Sequence, residues 1–306
     1  MKRLPQIGWL ADGRRLHLHD GPIDLIVEAR GTAANVRAAY DAAVGRFIGL
    51  LDELCGELPE LRKPARLATN SLKGIVARRM HDAVAPFAAG HFITPMAAVA
   101  GAVAEEILDA MVRASDLRRA YVNNGGDIAL HIADDECFTV GLIDRPDRPQ
   151  LIGRTVVESE DSTRGIATSG WRGRSFSLGI ADAVTVLART AAQADAAATI
   201  IANAIDVPEH PLIVRYPANE VQPDSDLGAR LVTREVGELS LSDIMTALDA
   251  GADIAHSLLD TGLIDGAALH LQGETRVVAL KNIDGIARRP LPRAAARAEI
   301  ESLLHV

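Results

Sequence analysis

The stretch AYVNNGGDIALHI, residues 120–132, decides the fold class that this chain is expected to adopt. Before it, apolar residues recur at helical spacing, whereas within it two short alternating runs flank the turn-forming sequence Asn-Asn-Gly-Gly-Asp. Alternation with a period of two is typical of strands, and Asn and Gly tolerate the positive φ angles of a tight turn. This stretch therefore predicts a β-hairpin and the beginning of a sheet.

Further strands and helices are predicted on both sides of that hairpin. The predicted strands share alternating or β-branched patterns and cover residues 17–29 as a hairpin, 138–143, 154–157, 176–180, 183–188, and 268–271 paired with 276–280. The predicted helices share a period of 3.6 and comprise one long helix after Thr32, then 72–84, a helix after Thr94, an alanine-rich helix from 190 to about 205, one begun by Ser242, and 292–304. Strands mixed with separate helices predict an α+β fold with a mixed or antiparallel sheet and packed helices. No composition break marks a linker, so we expect residues 1–306 to form a single domain.

The helix after Thr94 and Pro95 has the sequence MAAVAGAVAEEILDAM. Thr followed by Pro suits the start of a helix, and Gly101 among alanines permits close approach of another backbone. We expect this helix to be buried near its amino end and exposed near Glu105 and Glu106.

Composition excludes several classes of function. A net charge of −9 and an aromatic content of 3% argue against a nucleic-acid surface, which needs clustered basic residues and stacking side chains. No apolar stretch approaches the roughly 20 residues that a membrane-spanning helix needs. The first residues lack the apolar core of a secretory signal, which predicts a cytoplasmic protein. Cys55 and Cys137 are interpreted as small apolar residues rather than as a disulfide or zinc framework.

The NNGGD turn has two interpretations. It is either only a tight hairpin, or Gly125 and Gly126 let a phosphate or ring approach the backbone while Asp127 accepts hydrogen bonds from the ligand. The sequence ATSG has the same ambiguity. Thr168 and Ser169 before Gly170 satisfy a turn, or they offer hydroxyl and backbone N–H groups to a phosphate oxygen.

Asp195 and Thr199 are four residues apart in the alanine-rich helix and therefore share one helix face. A carboxylate and a hydroxyl are oxygen ligands of the kind that Mg²⁺ accepts, with phosphates and water completing the coordination. The alternative is that Asp195 lies near the amino end of its helix and interacts with the helix dipole.

Taken together, the order NNGGD, ATSG, ADAAAT resembles the ApbE-like superfamily, whose best-known members are FAD:protein FMN transferases. The whole chain is more similar to an uncharacterised branch of that superfamily, through FITPMAAVAGAVAEEI, GIATSGWRGRSFSLGIADAVTVLA and LHLQGETRVV. The resemblance implies Mg²⁺ and a flavin nucleotide, FAD or FMN, as cofactors. It implies Asp195 and Thr199 as metal ligands, and Gly125, Gly126 and Asp127 as nucleotide contacts. The further predicted nucleotide contacts are Asn124, Thr168, Ser169 and Gly170.

Two departures from the transferase pattern bear on the reaction. The transferases carry an HxxDPxTG segment after ATSG, whereas here Gly170 is followed by WRGRSFSLGIAD, and Ala100 and Gly101 stand where a GGxAKG lysine is expected. Three hypotheses stay open: a Mg²⁺-assisted flavin or nucleotide binder whose partner is a flavoprotein target, an enzyme or binding protein for another phosphorylated or carboxylated metabolite, and a non-catalytic partner in a flavoenzyme pathway. For the second hypothesis, the candidate anion partners are Arg78, Arg79, Arg172 and Arg174.

Overall fold

The computed structural model describes residues 4–65 and 71–280, and this part of the chain forms two compact units. The first unit contains the residues up to Cys137 together with Glu158–Ile166 and Arg189–Ala196, and the second contains Phe138–Val157, Ala167–Ala188 and the residues from Ala197 onward. Each unit is therefore assembled from segments that are distant in sequence. The expectation of one domain over residues 1–306 stays a prediction.

The first unit is an antiparallel sheet covered by helices. Its elements are β1 (Gln6–Trp9), β2 (Leu16–Asp20), β3 (Ile23–Arg30), α1 (Ala33–Phe47), α2 (Leu50–Leu61), α3 (Ile75–Val84), α4 (Val99–Ala114), β4 (Arg119–Asn124) and β5 (Asp127–Ile132). The strands follow the order β1-β2-β3-β4-β5, and every neighbouring pair is antiparallel. Asn124 of β4 lies opposite Asp127 of β5, which confirms the hairpin predicted over residues 120–132.

Local signals fix where the first two helices begin and end. The side chain of Thr32 accepts a hydrogen bond from the backbone of Asn35, which confirms Thr32 at the start of α1. The single long helix predicted after Thr32 is wrong, because the chain breaks into α1 and α2 at Gly49, whose φ of 87° lies in the left-handed region.

The core of the first unit lies between the sheet and two of its helices. Helix α4 packs against β4, β5 and α1, and its Ile107 and Met111 are fully buried together with Phe47 of α1 and Leu25 of β3. A 3₁₀ turn, Pro95–Ala98, precedes α4. Because α4 is held by β4, β5 and α1, the position of Gly101 near its start is fixed.

The remaining elements are those described between residues 137 and 280. They are β6 (Cys137–Ile143), β7 (Leu151–Glu158), β8 (Gly165–Ser169), β9 (Ala183–Ala188), α5 (Ala191–Ala204), β10 (Ile213–Pro217), α6 (Ala218–Val221), β11 (Leu231–Val236), α7 (Leu241–Asp260), β12 (Gly266–Leu271) and β13 (Glu274–Val278). In the second unit, β12 pairs antiparallel with both β9 and β13, and α7 packs on β12 and β13. Strands β10 and β11 form a separate antiparallel pair. Strands β6 and β7 form another two-stranded sheet.

The strand predicted over residues 176–180 is wrong, since these residues form irregular structure. Their polar groups bond to the end of α5 instead of to a neighbouring strand: Leu178 N donates to Asn203 Oδ1 at 2.9 Å, and Ile180 N donates to the carbonyl of Ile205 at 2.8 Å. A Cβ at Gly179 would lie 2.1 Å from the carbonyl oxygen of Ala202. Close packing on α5 therefore overrides the local alternation of apolar residues.

The predicted α+β class with antiparallel sheets and packed helices is confirmed. The helix predicted over residues 292–304 lies outside the described residues. Within residues 4–65 and 71–280, no helix is long and apolar enough to span a membrane. Cys55 and Cys137 are both free and exposed.

Candidate functional site

The NNGGD sequence forms the tight turn between β4 and β5. Gly125 and Gly126 have φ angles of 68° and 113°, and the side chain of Asn123 accepts a hydrogen bond from Gly126 N at 2.8 Å. The interpretation as a hairpin is therefore confirmed. A Cβ at Gly126 would meet no atom within 4 Å, so the turn leaves this backbone open to an approaching group. The predicted ligand contacts of the turn are compatible with this geometry and stay predictions.

Asn124 joins the turn to the amino end of α4. Its Nδ2 donates to the carbonyl of Ala100 at 3.2 Å, and its Oδ1 accepts from Asp24 N at 3.4 Å. The residue is only 4% exposed. Its amide is therefore already used inside the first unit to fix the position of α4 beside the turn.

The carboxylate of Asp195 also binds the amino end of α4. Its Oδ2 accepts a hydrogen bond from Gly101 N at 3.1 Å, and the amide of Ala100 contributes a second favourable interaction. The first amides of a helix lack partners within the helix, and an acidic side chain stabilises them. Asp195, although it belongs to α5, therefore caps α4.

Other groups satisfy the amino end of α5 itself. Ala192 N donates to Glu105 Oε1 at 2.7 Å, and Gln193 N donates to the hydroxyl of Thr190 at 3.2 Å. The sequence also allowed Asp195 to interact with the dipole of its own helix, α5. In the structure its carboxylate instead caps the neighbouring helix α4. Helices α4 and α5 thus exchange carboxylates, each of which binds the amides that begin the other helix.

Asp127 is the second carboxylate of this region. Desolvation raises the pKa of Asp195 well above its usual value, and the negative charge of Asp127 raises it further. Two carboxylates that repel each other in a partly desolvated site favour a bound proton or a cation. This is the electrostatic condition that a divalent cation relieves.

The donor set of the first unit is compatible with Mg²⁺ but small. Asp127 and Asp195 supply its oxygen donors. Thr199, four residues after Asp195 on α5, belongs to the second unit and has a partly exposed side chain, and its role as a metal ligand stays a prediction. Among the residues that the structure describes, no three His, Cys, Asp or Glu side chains group closely enough to form a metal site. Mg²⁺ is commonly bound through one or two carboxylates together with phosphates and water, so these donors fit the ion only alongside a phosphorylated ligand.

Glu105 and Glu106 are not exposed as expected; they lie in an ion-pair network of the first unit. Arg79 binds Glu105 at 3.1 Å and Asp109 at 2.6 Å, while Glu106 lies between Arg46 at 2.6 Å and Arg79 at 3.4 Å. The side chain of Glu106 is only 3% exposed. Arg79 therefore pairs with three carboxylates of the protein, whereas the sequence analysis named it as a candidate partner for the anion of a ligand.

The ATSG sequence lies in the second unit, at the end of β8. Thr168 Oγ1 is 3.0 Å from Thr185 Oγ1, and a Cβ at Gly170 would lie 2.5 Å from the carbonyl oxygen of Asp182. Thr168 and Ser169 are partly exposed, whereas Gly170 is buried. Gly170 is thus required by close backbone packing, and ligand contacts at these three residues stay predictions.

Asp182 was missed from the sequence. Its carboxylate accepts from Arg172 Nε and from Gln272 N, both at 2.7 Å, and the guanidinium of Arg172 lies 4.2 Å from the ring centre of Trp171. Arg172 is therefore paired within the second unit, whereas Arg174 is exposed. The available signal was one acidic residue in the apolar run GIADAVTVLA, which indicates a buried carboxylate with a cationic partner.

Comparison with known proteins gives relatives in archaea. The chain is 43% identical over 141 residues to a UPF0280 protein of Methanopyrus kandleri, covering 45% of this chain and 54% of that protein. It is 37% identical over 125 residues to a UPF0280 protein of Methanosarcina acetivorans, covering 40% of this chain and 48% of that protein. The chain thus spans about half the length of the curated relatives that it matches.

Among solved structures, the chain is similar to the apo form of the flavinyl transferase ApbE of Pseudomonas stutzeri. The TM-score is 0.41 at 10% identity, over 67% of this chain and 87% of that chain. The family model described as AbpE bacteria matches residues 7–277. The predicted resemblance to the ApbE-like superfamily is thereby confirmed, and the chain belongs to the family that this model describes.

Proposed function

We propose that this protein binds the phosphates of a flavin or adenine nucleotide with the help of Mg²⁺, at the NNGGD turn and the amino end of α4. The observation that supports the proposal most directly is the raised pKa of Asp195 beside Asp127. The carboxylates repel each other, and Gly126 leaves the adjacent backbone open. A divalent cation with its phosphate ligand would relieve this repulsion.

The residues of the first unit would have separate roles in binding the cation and the nucleotide. Asp195 and Asp127 would hold the cation, while the open backbone at Gly126 would admit the nucleotide. Bound Mg²⁺ would neutralise phosphate charge and polarise a phosphoryl oxygen. The hydrogen bond between Asp195 and Gly101 N would orient the carboxylate before the cation arrives.

Calorimetric titration with FAD, FMN and ADP, with and without Mg²⁺, tests this proposal. Wild-type protein should bind at least one of them more tightly when Mg²⁺ is present, and Asp195→Asn and Asp127→Asn should lose that Mg²⁺ dependence. Asn at position 195 still offers an oxygen to Gly101 N, so it removes the charge while keeping the cap. The matched control is Asp134→Asn, which changes an exposed aspartate after β5 and should bind as wild type does.

Two outcomes would contradict the proposal. Absence of binding of all three nucleotides at millimolar concentration would exclude a nucleotide site. Unchanged Mg²⁺ dependence in Asp195→Asn would show that Asp195 only caps α4.

A second candidate is a different phosphorylated or carboxylated metabolite, which the absence of HxxDPxTG and of the GGxAKG lysine favours. The same absence favours a non-catalytic role in a flavoenzyme pathway. The mass of the small molecule that co-purifies with the protein distinguishes these candidates from a flavin. We also propose a cytoplasmic location, which two exposed and unpaired cysteines support.

A further inference from the structure

A hydrogen bond ties Glu105 of α4 to the first turn of α5. Glu105 Oε1 accepts from Ala192 N at 2.7 Å, and the hydroxyl of Thr190 interacts with the same carboxyl group. These groups form the end of α5 that leads directly to Asp195, three residues after Ala192. Glu105 therefore acts on the backbone that carries Asp195.

Arg79 holds the carboxylate of Glu105 in place from the opposite side. Its Nε lies 3.1 Å from Glu105 Oε2, while its Nη1 donates to the carbonyl of Ala102 and its Nη2 binds Asp109. The side chain of Glu105 is 15% exposed and that of Arg79 is 22% exposed. A guanidinium with several acceptors has little freedom to rotate, so the oxygen that Glu105 presents to α5 is fixed in direction.

The same two helices are in backbone contact one turn before Glu105. A Cβ at Gly101 would lie 2.3 Å from the carbonyl oxygen of Ala191, and Gly101 N donates to Asp195. A small shift of the first turn of α5 would therefore change the geometry between Asp195 and Gly101 N.

We propose that Glu105, held by Arg79, is a positioning residue that keeps the first turn of α5 against α4 and so keeps the Asp195 carboxylate on Gly101 N. Its effect on ligand binding rests on the proposed function, whereas its effect on the bond between Asp195 and Gly101 does not.

Amide hydrogen exchange in the full chain tests the positioning role directly. The variants are Glu105→Ala, which removes the acceptor for Ala192 N, and Asp109→Asn, a matched control that removes another negative charge beside Arg79 while its amide oxygen still accepts from Arg79 Nη2. In Glu105→Ala, protection of the Gly101 amide should fall by about 10-fold or more relative to amides of β3 and β4, which report overall stability. In Asp109→Asn it should fall no more than those reference amides.

Metal-dependent nucleotide binding provides the second measurement. Glu105→Ala should weaken Mg²⁺-dependent ADP binding by about 10- to 100-fold, as loss of an outer partner of a metal ligand does, and Asp109→Asn should bind as wild type does. If Glu105→Ala does not fold, Glu105→Gln is the second variant, because its amide oxygen still accepts from Ala192 N while the negative charge that pairs with Arg79 is lost. It should still weaken ADP binding more than Asp109→Asn does.

The outcomes separate this inference from the proposed function. Equal protection of Gly101 in Glu105→Ala and in Asp109→Asn would overturn the positioning role, even if both bind ADP. Failure of the wild-type protein to bind a nucleotide would contradict the proposed function, while the exchange at Gly101 would still decide whether Glu105 positions Asp195.

Discussion

The backbone of Gly101 lies so close to that of Ala191 that a Cβ at Gly101 would sit 2.3 Å from the Ala191 carbonyl oxygen. The atoms in the way belong to backbone, which cannot rotate aside as a side chain can. The start of α4 therefore tolerates no side chain at this position, and the contact brings Asp195 within hydrogen-bonding distance of Gly101 N.

Gly101→Ala should destabilise the protein by at least about 2 kcal/mol, because the added methyl group must push two helix ends apart. Gly45→Ala is the matched control, since Gly45 lies in α1 and a Cβ there meets no atom within 4 Å. It should be neutral or stabilising by up to about 1 kcal/mol, as expected for alanine replacing glycine in a helix. Urea unfolding of both variants measures the difference, and equal stability would show that the contact at Gly101 relaxes easily.

Glu106→Ala should cost about 3 kcal/mol, because it leaves Arg46 and Arg79 without their shared, buried carboxylate. The estimate is at the low end for a broken buried ion pair, since both arginines retain some exposure. Glu60→Ala removes a glutamate whose side chain is 45% exposed and paired with Lys63, so it should cost less than about 1 kcal/mol. Chemical denaturation gives both values. A cost for Glu106→Ala no larger than that for Glu60→Ala would mean that the network is dispensable.

His270 should make the stability depend on pH. Burial lowers the pKa of His270 from its usual 6.5, against the opposing charges of Asp182, Asp144 and Glu274. As the pH falls, the unfolded chain therefore takes up the proton first, so stability that is fully present above about pH 6.5 is lost between that value and the lower pKa of the folded state. His270→Gln should flatten the free energy of unfolding between about pH 7.5 and pH 5.5. His91→Gln, at an exposed histidine, should keep the wild-type slope, and an unchanged slope in His270→Gln would contradict the prediction.

The chain should not efficiently transfer FMN to the threonine of a standard flavoprotein target. Positioning and electrostatic stabilisation of the reacting phosphate supply most of the catalysis in such transfers, and the HxxDPxTG segment and the GGxAKG lysine are both absent. Loss of two such elements should slow the reaction by orders of magnitude. After incubation with FAD and Mg²⁺, a mass spectrum of the target should show no added FMN; rapid, complete addition would restore transferase activity as the function.

Short-range features of the fold could be predicted from the sequence. Thr32 at the start of α1, the glycine turn at Gly125 and Gly126, and the limits of β9 all depend on interactions between residues that are close in the chain. Capping, positive φ and alternation act over a few residues, so the pattern alone carries the information. The hairpin and the α+β class follow from these signals.

Only the tertiary structure decided which charged groups meet. The sequence predicted that the end of the helix at Glu105 and Glu106 is exposed, because no residue close in sequence indicates that Arg46 and Arg79 contact them from two other helices. Residues 176–180 alternate like a strand but bond to the end of α5, and Asp195 serves a helix that begins almost one hundred residues earlier. Such pairings depend on how the helices pack. The sequence by itself therefore determined the NNGGD turn, the cap of α1 and the family, whereas packing decided the partners of the buried carboxylates.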